Sequence, residues 1–269
     1  MSRMRRGRSQ IPQHAKKTVN RKYTFEPFNT QPFAFAAVGH GAPTGTGGDI
    51  NKLLTPNLSA EYRVQGTQTL LAPTVAASGL LASLDLVNND GVEYNWAGSL
   101  LANAKHAYVA QVAKTFFMRM KVTLADVTGI DFFLFGFRKN AAYADDFLAY
   151  DDFYGIALNA ADGNIKIGSN LNGGTPAFVD TTLDWADTET KTLEVEVKQS
   201  GVAVAKIDEA GGDSLGFPAV SVPNFVFDAD DVLIPVTAGI HAATTPGAWH
   251  FADLEIGFKP NTPDYAAAV

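Results

Sequence analysis

Apolar and polar residues alternate with a period of two along several short segments of this chain, and glycine-containing turns separate these segments. In KTLEVEVKQSGVAVAKID (residues 191–208), Leu193, Val195 and Val197 point one way, whereas Glu194, Glu196 and Lys198 point the other. This alternation is typical of a β-strand with one buried face, and Ser200-Gly201 supplies a turn. The segment therefore predicts an antiparallel hairpin whose second face is solvated.

Four further segments have β character. DDFYGIALNAADGNIKIGSN predicts a hairpin that turns at Asp162-Gly163, and GLLASLDLVNNDGVEYNWAG predicts strand, turn, strand around Asn89-Asp90-Gly91. HAYVAQVAKTFFMRMKVTLADV predicts a long strand with a bulge near Met118. IDFFLFGFRK is almost continuously apolar, which indicates a strand buried on both faces.

Only residues 140–150, NAAYADDFLAY, indicate a short helix after the strands begin. A chain with 24 Gly, 13 Pro and many short strands is expected to form a sandwich or barrel. Alternation with one polar face favours two packed sheets. We therefore predict an all-β fold, an antiparallel two-sheet jelly-roll sandwich with an extended basic N-terminal arm.

The segments divide the chain into four regions: a basic arm (1–22), an extended Pro/Gly/Phe-rich segment (23–60), the sandwich (61–260) and a tail (261–269). The second region is expected to add little to the core, and to attach to a surface through the aromatic anchors Phe25, Phe28, Phe33 and Phe35. The chain has no Cys, which excludes disulfides and thiolate metal sites. The basic start lacks the apolar core of a secretory signal, and no stretch is apolar enough to predict a membrane span.

The arm carries a charge opposite to that of the rest of the chain. The protein has 21 Lys and Arg against 28 Asp and Glu, and eight of the basic residues lie in the arm, so the remainder carries 13 − 28 = −15. We predict that the arm binds a partner through Arg3, Arg5, Arg6, Arg8, Lys16, Lys17, Arg21 and Lys22. Acidic protein surface is favoured over nucleic acid, because a body of this charge repels phosphates.

The order of segments resembles the concanavalin-A-like jelly rolls, the superfamily of lectins, laminin-G domains and glucanases. The resemblance rests on YDDFYGIALNAADGNIKIGSN, TLEVEVKQSGVAVAKID, FVFDADDVLIPVTAGIHA and AWHFADLEIGFK, and it covers roughly residues 65–260. With the basic arm and the absence of Cys, the chain is most similar to virion proteins of tailed bacteriophages. This resemblance implies a head decoration or accessory protein.

Glycosidases of that superfamily place three carboxylates at alternate positions of one strand, which raises the question of catalysis. Glu194 and Glu196 alternate correctly, but Lys198 takes the third position; Asp253 and Glu255 are followed by Gly257. We therefore predict no catalytic residue and no enzyme activity. No two of the five His have metal-pair spacing, although His241 and His250 lie near the ends of the last two strands.

Lectins and laminin-G domains bind calcium through acidic loops, and two acidic runs of this chain are candidate ligands: Asp145, Asp146, Asp151 and Asp152, and Asp228, Asp230 and Asp231. Neither has EF-hand spacing, and solvated loops are the favoured interpretation. Core positions are favoured over a sugar-stacking platform for Trp96, Trp185 and Trp249. No metal site and no cofactor are predicted.

The functional prediction is a structural virion protein on the capsid surface, made in the host cytoplasm, that docks on the head through its arm. Its expected partners are the major capsid protein and copies of itself, with a homotrimer as one assembly, and neither membrane nor nucleic acid. The alternative is a carbohydrate-binding module of a phage adhesin or tail protein, with a host glycan as its partner.

Overall fold

Period-two alternation gives strands along nearly the whole described chain. The computed structural model describes residues 24–26, 34–37, 50–54, 58–65, 74–76, 79–83, 90–98, 105–144, 146–208, 224–241 and 248–259. In chain order, its strands are β1 (Thr24–Glu26), β2 (Ala34–Ala37), β3 (Ile50–Leu54), β4 (Ser59–Gln65), β5 (Thr74–Ala76), β6 (Gly79–Ser83), β7 (Asp90–Asn95), β8 (Tyr108–Val109), β9 (Phe116–Leu124), β10 (Ile130–Lys139), β11 (Phe153–Asn159), β12 (Asn164–Asn170), β13 (Ala177–Asp184), β14 (Thr190–Val197), β15 (Val202–Asp208), β16 (Phe225–Val226), β17 (Val232–His241) and β18 (Ala248–Phe258).

These strands form two antiparallel sheets. The eight-stranded sheet has the order β16-β15-β14-β9-β18-β6-β5, with β1 also paired to β18. The ten-stranded sheet has the order β13-β12-β11-β10-β17-β7-β4-β3-β2, with β8 also paired to β17. The predicted all-β two-sheet jelly roll is confirmed, while the arm lies outside the described residues.

The main core lies between the sheets, where the long central strands contribute every second side chain. Met118, Val195 and Ile256 come from the eight-stranded sheet, and Phe135 and Ile156 come from the ten-stranded sheet. Burying one side chain of this size contributes about 1.5–3 kcal/mol. Trp96, Trp185 and Trp249 have exposed fractions of 0%, 3% and 0%, which confirms their core positions.

A second apolar cluster covers the opposite, outer face of the ten-stranded sheet. Phe132 and Leu134 of β10 lie in it, together with Phe147, Tyr150 and Phe153. Since Phe133 and Phe135 of the same strand lie in the main core, β10 is buried on both faces, as its apolar sequence predicts. The segment 140–150 supplies this cover, but it forms a single 3-10 turn at Phe147–Ala149 and not the predicted helix.

Both hairpins turn where the sequence indicates, because glycines occupy positive φ there: +74° at Gly163 and +82° at Gly201. Strands flank Asn89-Asp90-Gly91 as predicted, but Asp90 and Gly91 themselves belong to β7, and β6 and β7 join different sheets. The predicted bulge near Met118 lies instead on the neighbouring strand, where the β18 register shifts between Ala252 and Glu255.

Strands also occur in the segment 23–60. β1 pairs with β18, and β3 pairs with both β2 and β4. Leu58 and Ala60 belong to the main core, so the strands of the sandwich begin before residue 61. Within the described residues, no helix combines the length and apolar character needed to cross a bilayer.

Candidate functional site

Charged and polar side chains gather on the outer face of the ten-stranded sheet. Alternation along β7 sends Val92 and Tyr94 into the core and therefore sends Glu93 and Asn95 outward. On β10, Arg138 faces outward by the same rule. We call Glu93, Asn95, Arg138, Tyr143 and Tyr150 the polar cluster.

An ion pair lies at the centre of the polar cluster. Arg138 Nε donates to Glu93 Oε1 at 2.7 Å, and Tyr150 OH donates to Glu93 Oε2 at 2.8 Å. Both charged side chains have an exposed fraction of 0%. Arg138 Nη1 also donates to the carbonyl oxygens of Lys139 and Ala141 at 2.8 and 3.3 Å. A charge pair this deeply buried persists only because its hydrogen bonds replace lost hydration.

Residues 140–144 and 146–150, which we call the strap, cover this ion pair. Tyr150 places its ring 4.0 Å from Arg138 Cζ, and its OH accepts a hydrogen bond from Ala144 N at 3.0 Å. Asp146 caps the 3-10 turn by accepting from Leu148 N at 2.9 Å. Burial raises the pKa of Tyr150, so its hydroxyl stays protonated and donates to Glu93.

Three donors of the polar cluster are left without a partner. Asn95 Nδ2, Arg138 Nη2 and Tyr143 OH are buried atoms that make no hydrogen bond within the part of the chain that the structure describes. Tyr143 lies 5.7 Å from Arg138 Cζ, measured to the ring centroid, and burial raises its pKa, which keeps its hydroxyl a donor. An unmade buried hydrogen bond costs about 1–3 kcal/mol. The cluster therefore holds three unsatisfied donors, whose chemical match is an oxygen acceptor.

The two acidic runs meet, but around a lysine. Lys139 Nζ lies 3.1 Å from Asp152 Oδ2 and 2.7 Å from Asp231 Oδ1. The expectation of solvated loops is wrong for these two carboxylates, which are buried. The hydrogen bond to Asp231 is the main reason that the pKa of Lys139 is raised, so the ammonium remains charged. No group of three or more His, Cys, Asp or Glu side chains with metal-ligand geometry occurs in the described residues.

The carboxylates weighed for glycosidase chemistry lie on the outer face of the eight-stranded sheet. The expectation that Glu194 and Glu196 face solvent is wrong, because both are buried. Lys206 Nζ lies 3.2 Å from Glu194 and 3.0 Å from Glu196, and Lys259 contacts both. Their oxygens face ammonium groups, which is the geometry of charge pairing. Asp253 likewise lies 3.0 Å from Lys121.

Three histidines, His106, His241 and His250, lie within the described residues. His106 is buried, and its Nε2 lies 3.0 Å from Thr24 Oγ1 while its Nδ1 lies 3.1 Å from Tyr108 OH. His241 is in β17 of the ten-stranded sheet, where only its backbone is described, and His250 is in β18 of the eight-stranded sheet. Desolvation lowers the pKa of His250.

The predicted partner-binding residues fall mostly outside the described chain. This holds for Arg3, Arg5, Arg6, Arg8, Lys16, Lys17, Arg21, Lys22, Phe28 and Phe33, and also for His14, His40 and Asp145. Phe25 lies in β1 with an exposed fraction of 44%. Phe35 lies in β2, where only the backbone is described.

The alternation of apolar and polar residues does not predict the polar cluster. Its signal was a single charge inside an apolar strand: Glu93 in DGVEYNW and Arg138 in IDFFLFGFRK. A charge on a strand that is buried on both faces requires a buried partner of opposite sign. This rule would have singled out both residues without identifying them as each other's partner.

No protein-family model matches the chain, and no curated protein matches it. Among solved structures, the legume lectin-like domain from Entamoeba histolytica has a TM-score of 0.51 at 10% identity, covering 74% of this chain and 90% of that chain. A protein of unknown function from Shewanella oneidensis MR-1 has a TM-score of 0.46 at 10% identity and covers 89% of both chains. The metal-free carbohydrate recognition domain of Emp46p has a TM-score of 0.48 at 12% identity, covering 73% of this chain and 87% of that chain. The chain therefore has a two-sheet jelly-roll fold that is similar to that of the Entamoeba histolytica domain.

Proposed function

We propose that this chain is a non-catalytic glycan-binding module and that the polar cluster, to which the strap contributes Tyr143 and Tyr150, is its binding surface. The observation that carries the proposal is the set of three buried donors without partners: Asn95 Nδ2, Arg138 Nη2 and Tyr143 OH. Sugar hydroxyls carry acceptor lone pairs and match such donors. The fold adds support, because the similar Entamoeba histolytica domain is described as legume lectin-like.

The surroundings of these donors fit a site for a neutral, hydroxyl-rich ligand. Glu93 already balances the charge of Arg138, so a charged ligand would leave a buried charge without a counterion. Tyr143 is half-buried and is the member of the cluster at the protein surface. Asn95 and Arg138 are fully buried behind the strap, which is held by Tyr150 and Phe147, so binding to them requires the strap to shift, and Tyr143 moves with it.

Glu194 and Glu196 are not expected to hydrolyse a bound glycan. A retaining glycosidase needs one carboxylic acid that donates a proton and one free carboxylate. Glu194 and Glu196 are buried against Lys206 and Lys259 instead. Hydrolysis of a bound polysaccharide would contradict the proposal.

The test is a glycan array with the full chain, followed by titration calorimetry with the best ligand. Tyr143→Phe removes one unpartnered hydroxyl and should weaken binding about twofold to tenfold, since a neutral hydrogen bond contributes about 0.5–1.5 kcal/mol. Tyr94→Phe is the matched control, because its hydroxyl is also unpartnered but lies in the core. Binding to no glycan overturns the proposal, and so does equal weakening by both variants.

A second candidate follows from the arm. Residues 1–22 carry eight cations, whereas the rest of the chain has a formal charge of −15, and this contrast favours docking of the arm on an acidic protein surface. On that ground we propose a capsid decoration protein as the second candidate. Fold similarity adds nothing to it. The chain should then be present in purified phage particles at lattice-wide copy number, measured by quantitative mass spectrometry, and its absence from them would exclude the role.

A further inference from the structure

Two acidic loops lie at the end of the sandwich where β10 ends and β17 begins. They hold Asp151 and Asp152, and Asp228, Asp230 and Asp231, which we call the acidic end. Lys139 joins the loops through Asp152 and Asp231. Five carboxylates and one ammonium give this group a formal charge of −4. One further cation, Lys114, directly follows the turn at residues 110–113.

The carboxylates of the acidic end are not saturated by their surroundings. Asp231 Oδ2 is buried and has no hydrogen-bond partner among the described residues, while the other oxygen of this carboxylate binds Lys139. Asp228 and Asp230 are exposed. A buried carboxylate oxygen without a donor is costly, so this end attracts additional positive charge.

Exposed apolar side chains accompany these carboxylates. Val112, Val226 and Val232 have exposed fractions of 63%, 39% and 37%. Val232 pairs with Val109, at the start of the turn that contains Val112. A Cβ at Gly201 would meet both Gln111 and Val226, so Val226 also lies beside this turn. The end therefore combines negative charge with apolar surface.

Strand β1, which starts at Thr24, begins at the acidic end of the sandwich. Thr24 pairs with Ile256, two residues before Phe258, which pairs with Phe116 at the start of β9. Lys259 N donates to Thr115 O at 3.0 Å, in the same connection that contains Val112. Lys105 Nζ donates to Thr24 Oγ1 at 2.6 Å and fixes this start.

We propose that residues 1–22 bind the acidic end of the same molecule. The segment carries eight cations, and Ile11 and Val19 match the apolar surface. Fully extended, 22 residues reach about 70–80 Å, which is ample to cross one end of a sandwich whose strands are about 4.8 Å apart. Tethering gives such a segment an effective concentration of about millimolar, which favours its own molecule over a second copy.

Paramagnetic relaxation enhancement on the full chain tests this. The protein has no Cys, so Ser9→Cys gives a unique spin-label site. At low salt the amide signals of residues 110–113 and 228–231 should lose most of their intensity. In 1 M NaCl, where the Debye length is about 3 Å, the intensity should return.

Paired substitutions separate docking from general attraction. The double variant Asp228→Asn with Asp230→Asn should abolish most of the loss of signal intensity. The variant should fold normally at position 230, because Asn tolerates the positive φ of 68° there. Asp131→Asn with Asp184→Asn, two exposed aspartates at the opposite end, should leave the loss unchanged. Intensity loss elsewhere on the surface, or none, overturns the proposal. The proposal is also overturned if signal intensity is lost in a mixture of two chains, one with the spin label but no ¹⁵N and one with ¹⁵N but no spin label. The arm would then bind a second copy.

Discussion

Replacing Glu93 with Gln leaves Arg138 as a buried cation without a counterion. Both side chains are completely buried, and Arg138 Nε lies 2.7 Å from Glu93 Oε1. Loss of one partner of such a pair lowers the free energy of unfolding by about 3–5 kcal/mol. Arg138 keeps two carbonyl acceptors and the Tyr150 ring, which places the expected loss in the lower half of that range. For a chain of this size, each kcal/mol lowers Tm by about 2–4 °C.

Urea unfolding followed by circular dichroism measures this loss as a lower midpoint at constant slope. The double variant Glu93→Gln with Arg138→Met removes both charges and should be more stable than Glu93→Gln alone, because no unpaired charge remains. Asp162→Asn is the control, since its pair with Lys166 is partly exposed and such pairs contribute about 0–1 kcal/mol. A loss below about 1 kcal/mol for Glu93→Gln would refute the reasoning, as would a double variant less stable than the single one.

Three further outcomes are expected. Gly136→Ala should lower the free energy of unfolding by about 1–3 kcal/mol, because its Cβ would clash with the carbonyl oxygen of Tyr154, whereas Gly174→Ala at a turn should cost less in the same urea assay. Lys139→Met should lower Tm at pH 7. The raised pKa of Lys139 means that its stabilisation is complete below the ordinary pKa of 10.5 and is lost as pH rises through the folded-state value, so the difference in Tm between variant and wild type should shrink above pH 10.5; a constant difference would contradict this. A chain lacking residues 1–57 should stay β-rich by circular dichroism with a reduced midpoint, because the described buried apolar side chains start at Leu58, and complete unfolding would contradict this.

Particular residues show how far the sequence predicts the fold. The alternation of Leu193, Val195 and Val197 correctly predicts a buried strand face, and the Asp162-Gly163 turn is correctly placed. The exposure of Glu194 and Glu196 is predicted wrongly, because the pattern does not reveal that Lys206 and Lys259 converge on them. Alternation identifies the face on which a side chain lies, but not what covers that face.

The sequence by itself determined that this chain forms strands, which side chains of each strand share a face, and where the local hairpins turn. These properties depend on residues close together in the chain, through the period of two and the φ freedom of glycine. Only the tertiary structure decided that β6 and β7 belong to different sheets, and that Glu93 meets Arg138, 45 residues away. The strap and the polar cluster follow from that second decision, because contacts between distant residues depend on the order of strands in a sheet, which local alternation does not specify.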